Sequence, residues 1–194
     1  QEFLEVATQI KTSFQRFWYK PANRCYDVID GPHGHDPDPR PNQIFAVSLP
    51  NSPLTAPQQQ AVVDYCAQHL YTSHGIRSLG PEDPQYVGQY GGDIRKRDGA
   101  YHQGTVWGWL LGPFVLAHYH VYRNPQAALS YLEPMAHHLN DYGLGTLGEI
   151  FDGQPPFAPR GCIAQAWTVA EVLRAWHIIQ SSTNISTRKQ PPKK

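Results

Sequence analysis

The sequence predicts an all-α protein in which an inner layer of helices is wrapped by an outer layer. Three observations carry that expectation. Apolar residues recur at helical spacing in segments of two kinds, one with a polar face and one apolar on most sides, and the two kinds alternate along the chain. The links between segments alternate as well, short after an apolar helix and long before one. No segment shows the period-two alternation of a half-buried strand.

Taken in order, residues 2–19 set Phe3, Ala7, Ile10, Phe14 and Trp18 on one helical face. Residues 42–49 form a short apolar helix that stops at Pro50. Residues 56–71 carry Val62, Cys66 and Leu70 on one face, with Thr55 and Gln58 spaced for a capping box and Pro57 in the first turn. Residues 104–121 are apolar on most sides, through Val106, Trp107, Trp109, Leu110, Leu111, Phe114, Val115 and Leu116. Residues 125–139 are amphipathic again, with Asn124 as cap and Pro134 placed to kink the helix. Residues 162–179, from Ile163 to Trp176, are apolar nearly all round and should be buried.

Links that lead into the apolar helices run to about twenty to thirty residues, well beyond the usual connection. If the helices run up and down, these long loops gather at one end, over the N-termini of the inner helices. Ordered polar and aromatic loops on a rigid scaffold are where function concentrates, so the site is expected there.

Composition narrows the classes. With 16 basic and 16 acidic residues the net charge is zero, which argues against nucleic acid or an anionic membrane as partner. No apolar run is long enough to span a bilayer, and no signal-peptide pattern is present. Cys25, Cys66 and Cys162 are widely spaced, which reads as free thiols in a reducing cytoplasm. His33, His35 and Asp36 match no metal-ligand signature and adjoin a rigid Asp-Pro-Asp-Pro turn, so no metal is expected. The chain divides into residues 1–180 and a polar, basic, disordered tail, 181–194; Asn184 to Ser186 fits a glycosylation sequon by coincidence. Starting at Gln1, inside a helix, the chain reads as a fragment or a processed product.

The richest segment runs from Gly145 to Gly153 and on through Pro159 to Trp167. It sets Glu149 between apolar neighbours in a glycine-rich loop just ahead of a long apolar helix. Such a carboxylate can act as a general acid or base, or can sit near a helix start to balance its dipole. Asp152 precedes Gly153 and suits an Asp-Gly turn. Trp107 lies near the loop-bearing end, as a core residue or as a ring that stacks on a sugar with its indole N–H free for a hydroxyl. His102 and Gln103 stand just before it and can bond sugar hydroxyls. Arg40, Asn42 and Gln43 hold the same place before the first apolar helix, and Arg160 before the last, where it suits a loop-clamping salt bridge.

Several of these runs resemble one family. His74 to Pro81, Tyr86 to Gly92, Arg97 to Trp107, Arg40 to Pro50 and the Glu149 segment come in the order found in the C-terminal glucosidase domain of glycogen debranching enzymes. The resemblance covers about Phe3 to Trp176. It implies amylo-α-1,6-glucosidase activity on a branched α-glucan, glycogen or limit dextrin, with no organic cofactor. It implies an (α/α)6 toroid, of which three helix hairpins, about half, are visible here. It assigns the general base to Glu149 and implies inversion. The general acid of the family is an aspartate upstream, so the N-terminal half of the same domain is the expected partner. Gly108 departs from the family, where many relatives have proline between the two tryptophans. The alternatives are a non-catalytic glucan-binding fragment and a toroid enzyme of other chemistry, such as a polysaccharide lyase.

Overall fold

A computed structural model describes residues 1–188, with side chains described as far as Ser182. The chain opens with α1 (Glu2–Phe14), followed by β1 (Trp18–Tyr19) and β2 (Arg24–Cys25), then β3 (Val28–Gly31) and β4 (Gly34–Asp36). A 3-10 turn at Pro41–Ile44 leads into α2 (Phe45–Ser48). Next come α3 (Ala56–Tyr65), β5 (Tyr71–Thr72), β6 (Gly75–Arg77) and α4 (Ile94–Ala100). β7 (Val106–Trp107) precedes α5 (Leu111–Tyr122), α6 (Pro125–Ser130) and α7 (Glu133–His138). β8 (Ile150–Phe151), β9 (Pro159–Arg160) and α8 (Ala166–Arg188) complete the described chain.

The core is built on α5. Leu111, Phe114, Val115 and Leu116 are buried there with Val62 and Val63 of α3, Ile44 and Val47 around α2, and Ala175 and Ile179 of α8. The most extensive helix packing is between α5 and α8, and Gly112 lets the two backbones approach. A Cβ at that position would lie 2.5 Å from the Glu171 carbonyl oxygen. The amphipathic 125–139 segment is split into α6 and α7. Pro134 has no N–H to give to the Ser130 carbonyl, so one helix cannot run through.

The all-α class is overturned, and with it the description as half of an (α/α)6 toroid. The described residues hold three antiparallel sheets, two of two strands and one of five in the order β5-β6-β7-β8-β9. The long loops form these strands. Loops laid over apolar helices bury backbone N–H and C=O groups, which must pair with one another. The strands are two to four residues long, too short for an alternation to be read.

Two helix expectations change for the same reason of partners. The 104–121 segment forms strand β7, then a 3-10 turn at Gly108–Leu110, and becomes α-helix only at Leu111. The last helix is not buried all round. Its Thr168, Ala175 and Ile179 pack inward, while Trp167 is 51% exposed and Trp176 49% exposed. It also runs on to Arg188, into the stretch read as a tail; residues 189–194 lie outside the described residues, as do the side chains of the sequon. No helix of the described residues is long and apolar enough to cross a membrane.

Candidate active site

The five-stranded sheet draws the sequence motifs together. Ile76 pairs with Trp107, Trp107 with Ile150, and Ile150 with Arg160. Glu149 immediately precedes β8 and is fixed by its backbone on both sides. Its N–H donates to the Cys162 carbonyl at 3.0 Å, and its carbonyl accepts the Gly108 N–H at 3.1 Å. The Gly108 bond is one that proline could not make.

The Glu149 carboxylate is half-buried and meets two neutral donors. Oε1 accepts the Tyr101 hydroxyl at 2.7 Å, and Oε2 accepts the Cys162 N–H at 2.9 Å. Gly161 brings the backbone this close. Its φ of +64° suits glycine, and a Cβ there would sit 2.5 Å from Oε2. Burial, with the bond to Glu149 adding to it, pushes the Tyr101 phenol well above its ordinary range, so it stays a donor. A carboxylate has about four lone-pair sites, so two bonds orient Glu149 and leave acceptor capacity.

A cleft of about 690 Å³ is lined by Arg40, Asn42, His102, Gln103 and Trp107 among others. Glu149 and Tyr101 are not in that lining, and Tyr101 reaches it through its ring contacts with His102 and Trp107. Five of the residues singled out in the sequence therefore meet on one wall system. The Trp107 ring has a parallel His102 ring against it at 5.3 Å and the edge of Tyr101 at 4.6 Å. Its indole N–H, expected to be free, donates to the Tyr101 carbonyl at 3.1 Å. Trp109 and Trp167 stack at 3.9 Å on another part of the lining.

Arg40 works mainly as a joint between loops. It donates to the His102 carbonyl at 2.7 Å and to Gln103 Oε1 at 2.8 Å, and it lies 3.4 Å from Asp38 and 3.8 Å from Asp27. Asn42 donates to Asp27 Oδ1 at 2.7 Å. Gln43 turns inward, accepting the Cys25 N–H at 3.2 Å and donating to the Arg40 carbonyl at 3.0 Å, and does not line the cleft. Arg160 is also away from it. Its guanidinium grips Asp152, with Nη2 2.8 Å from Oδ2 and Nε 3.2 Å from both oxygens.

Sequence reasoning missed the residues that serve through others. Tyr101 stands in the Arg97–Trp107 run beside His102, where a phenol within reach of a loop carboxylate was a usable signal. Asp27 and Asp98 also line the cleft; nothing in the local sequence marks Asp27, whereas Asp98 stands inside the Arg97–Trp107 run. Asp152, read as a turn residue, is buried and ion-paired.

A model of the amylo-alpha-1,6-glucosidase family matches residues 1–174. The chain belongs to this family. Its class is thus that of glycosidases of carbohydrate metabolism, and the match spans both the Glu149 loop and the cleft.

Proposed function

We propose that the cleft takes the α-1,6-linked glucose of a branched α-glucan and that Glu149 is the general base of its hydrolysis. Glu149 accepts a proton from water while the water oxygen attacks the anomeric carbon. The bond from that carbon to the glycosidic oxygen breaks with inversion, and an acid protonates the departing oxygen. The observation that carries this reading is the setting of Glu149. Its carboxylate is oriented by Tyr101 and by the Cys162 N–H, on a loop hydrogen-bonded to the strand that bears Trp107. Trp107 and His102 offer ring surface to the sugar, and Gln103 and Asn42 offer amide groups to its hydroxyls.

The acid is the second carboxyl that an inverting enzyme sets about 6.5–9.5 Å from the base. We assign it to a companion segment of the same domain, the partner expected from the sequence. Asp27 is a poor substitute, because Asn42 and Arg40 already engage both its oxygens. Asp98 is the second reading. Its carboxylate is exposed, lines the cleft and has no partner among the described residues.

The test is glucose released from an α-1,6-branched limit dextrin, by the chain alone and co-expressed with the companion. Glu149→Gln should lower the rate by ~10²–10⁴ without loss of fold. Near wild-type release by that variant sinks the assignment. Release by the chain alone that Asp98→Asn abolishes would move the acid to Asp98.

A further inference from the structure

The stretch Leu147–Ile150 that carries Glu149 is fixed mostly by backbone. The Leu147 carbonyl accepts the Gln165 N–H at 2.9 Å, and Glu149 pairs with Cys162 and Gly108 as described. Gly148 differs. Its N–H donates to a side chain, His138 Nε2, at 3.2 Å. His138 ends α7 and is 2% exposed. Phe151 meets its ring edge-on at 5.1 Å, and His74 does so at 5.6 Å. A Cβ on Gly148 would lie 3.3 Å from the same nitrogen, so backbone and ring are in contact.

We infer that His138 is a positioning residue for Glu149: its unprotonated Nε2 fixes Gly148 and thereby the aim of the next residue's carboxylate, and a proton on that nitrogen releases it. The inference rests on the reading of Glu149 as general base. Nε2 accepts a hydrogen bond only while it carries no proton, which puts the ring proton on Nδ1. Protonation would set two N–H groups against each other and leave the buried Gly148 N–H without its acceptor. Glu149 then loses one of the anchors on its N-terminal side, while the Leu147 carbonyl, its own N–H and its carboxylate keep their partners, so the expected result is a small misplacement and not unfolding.

The titratable neighbours of His138 act in opposite directions. Burial holds its ring below the ordinary histidine value, while Asp141, in the turn after α7, pulls upward. His74, from the turn between β5 and β6, is held low by burial and by the charge His138 would carry. Tyr142 stacks loosely against His138 at 6.0 Å. From β8 the contact is Phe151, which does not titrate. The bond is therefore intact at neutral pH and opens as pH falls below about 6.5.

The experiment is an NMR titration of the full chain from about pH 8 to about pH 5. It follows the His138 ring nitrogens, the Gly148 and Glu149 amides and the Glu149 carboxyl carbon. The Gly148 amide should move with the midpoint of His138, and the Glu149 signals should follow. In His138→Gln an amide oxygen stands in for Nε2 without titrating. That midpoint should vanish, while both amides keep their neutral-pH positions. In the glucose-release assay the acid limb of kcat should shift to lower pH in His138→Gln, with KM unchanged. A Gly148 amide indifferent to the titration of His138, or an acid limb identical in the variant, overturns the inference. Should the variant not fold, the wild-type titration decides alone. Full activity in Glu149→Gln would remove the general-base reading and leave the amide titration standing, so the two failures are distinguishable.

Discussion

Glu149 precedes β8 and Asp152 follows it, and the donors that meet the two carboxylates differ in kind. Asp152 is buried and held by the Arg160 guanidinium at two points, with the Tyr90 N–H adding a bond of 2.8 Å to Oδ1. Glu149 is half-buried and meets a phenol and a backbone N–H. Bonds to either ionised carboxylate are charge-assisted, but only Asp152 has a cationic partner, and the guanidinium fork adds an ion pair and a fixed two-point geometry. One carboxylate is therefore anchored, closing the sheet between β8 and β9. The other is aimed, with lone pairs to spare. On the proposed reading of Glu149, the difference teaches that a site carboxylate is told apart from a structural one by its donors as well as by its burial.

The largest effect expected from this contrast is the loss of ~10²–10⁴ in rate for Glu149→Gln at unchanged melting temperature. Asp152→Ala should do the reverse. It strands Arg160 and the Tyr90 N–H, and hydrogen bonds to charged groups contribute about 1.5–3 kcal/mol each at most. Arg160 is partly exposed and can turn to water, so the expected loss is about 1–3 kcal/mol, read from denaturant unfolding. Rate per folded molecule should hold. An Asp152→Ala protein of native stability and lost activity would break the comparison, because it would put Asp152 in the chemistry.

Tyr101→Phe sharpens it by removing one of the two aiming bonds. The Glu149 oxygen left behind is near solvent, so stability should fall by only about 0.5–1.5 kcal/mol. Activity should fall through kcat more than through KM, since Tyr101 acts through Glu149. A variant that lost only substrate affinity would make Tyr101 a binding residue.

The anchored half of this contrast was the harder half to read from sequence. The helical spacing of 56–71 and of Leu111 onward, and the break at Pro134, follow from local chemistry and match the helices seen. Arg40, Asn42, His102, Gln103 and Trp107 meet at one cleft because each precedes an apolar helix start, a relation visible in the loop pattern. The sheet was not legible. A strand of two residues carries no period, and its existence depends on which loops lie side by side. Nor was the open face of α8. Trp167, Leu173 and Trp176 make the sequence apolar on that side, but pattern reports the side chain and not the neighbour that would cover it. The Asp152–Arg160 pair fails for the same reason, since an Asp-Gly dipeptide reads as a turn until the strand across from it is known.

The smallest effect concerns pH and the histidine layer beside the anchored carboxylate region. His74, His118 and His138 are each held below the ordinary histidine value, in each case chiefly by burial, with Asp141 or Asp64 opposing. His118 adds a buried Nδ1 that has no partner among the described residues. A histidine whose folded value is lowered binds fewer protons in the folded chain than in the unfolded one, within the window between the two values. Stability therefore rises with pH through that window. The contribution is complete above the unfolded value of about 6.5 and is lost as pH falls below it, through the folded values. Melting temperatures at about pH 7.5 and about pH 5.5 should show a decline in the wild type and a smaller one in His138→Gln. A wild-type protein as stable at the lower pH as at the higher would mean that these rings are hydrated in solution. The contrast between a carboxylate anchored by charge and one aimed by a loop that rests on a neutral histidine would then lose its second half.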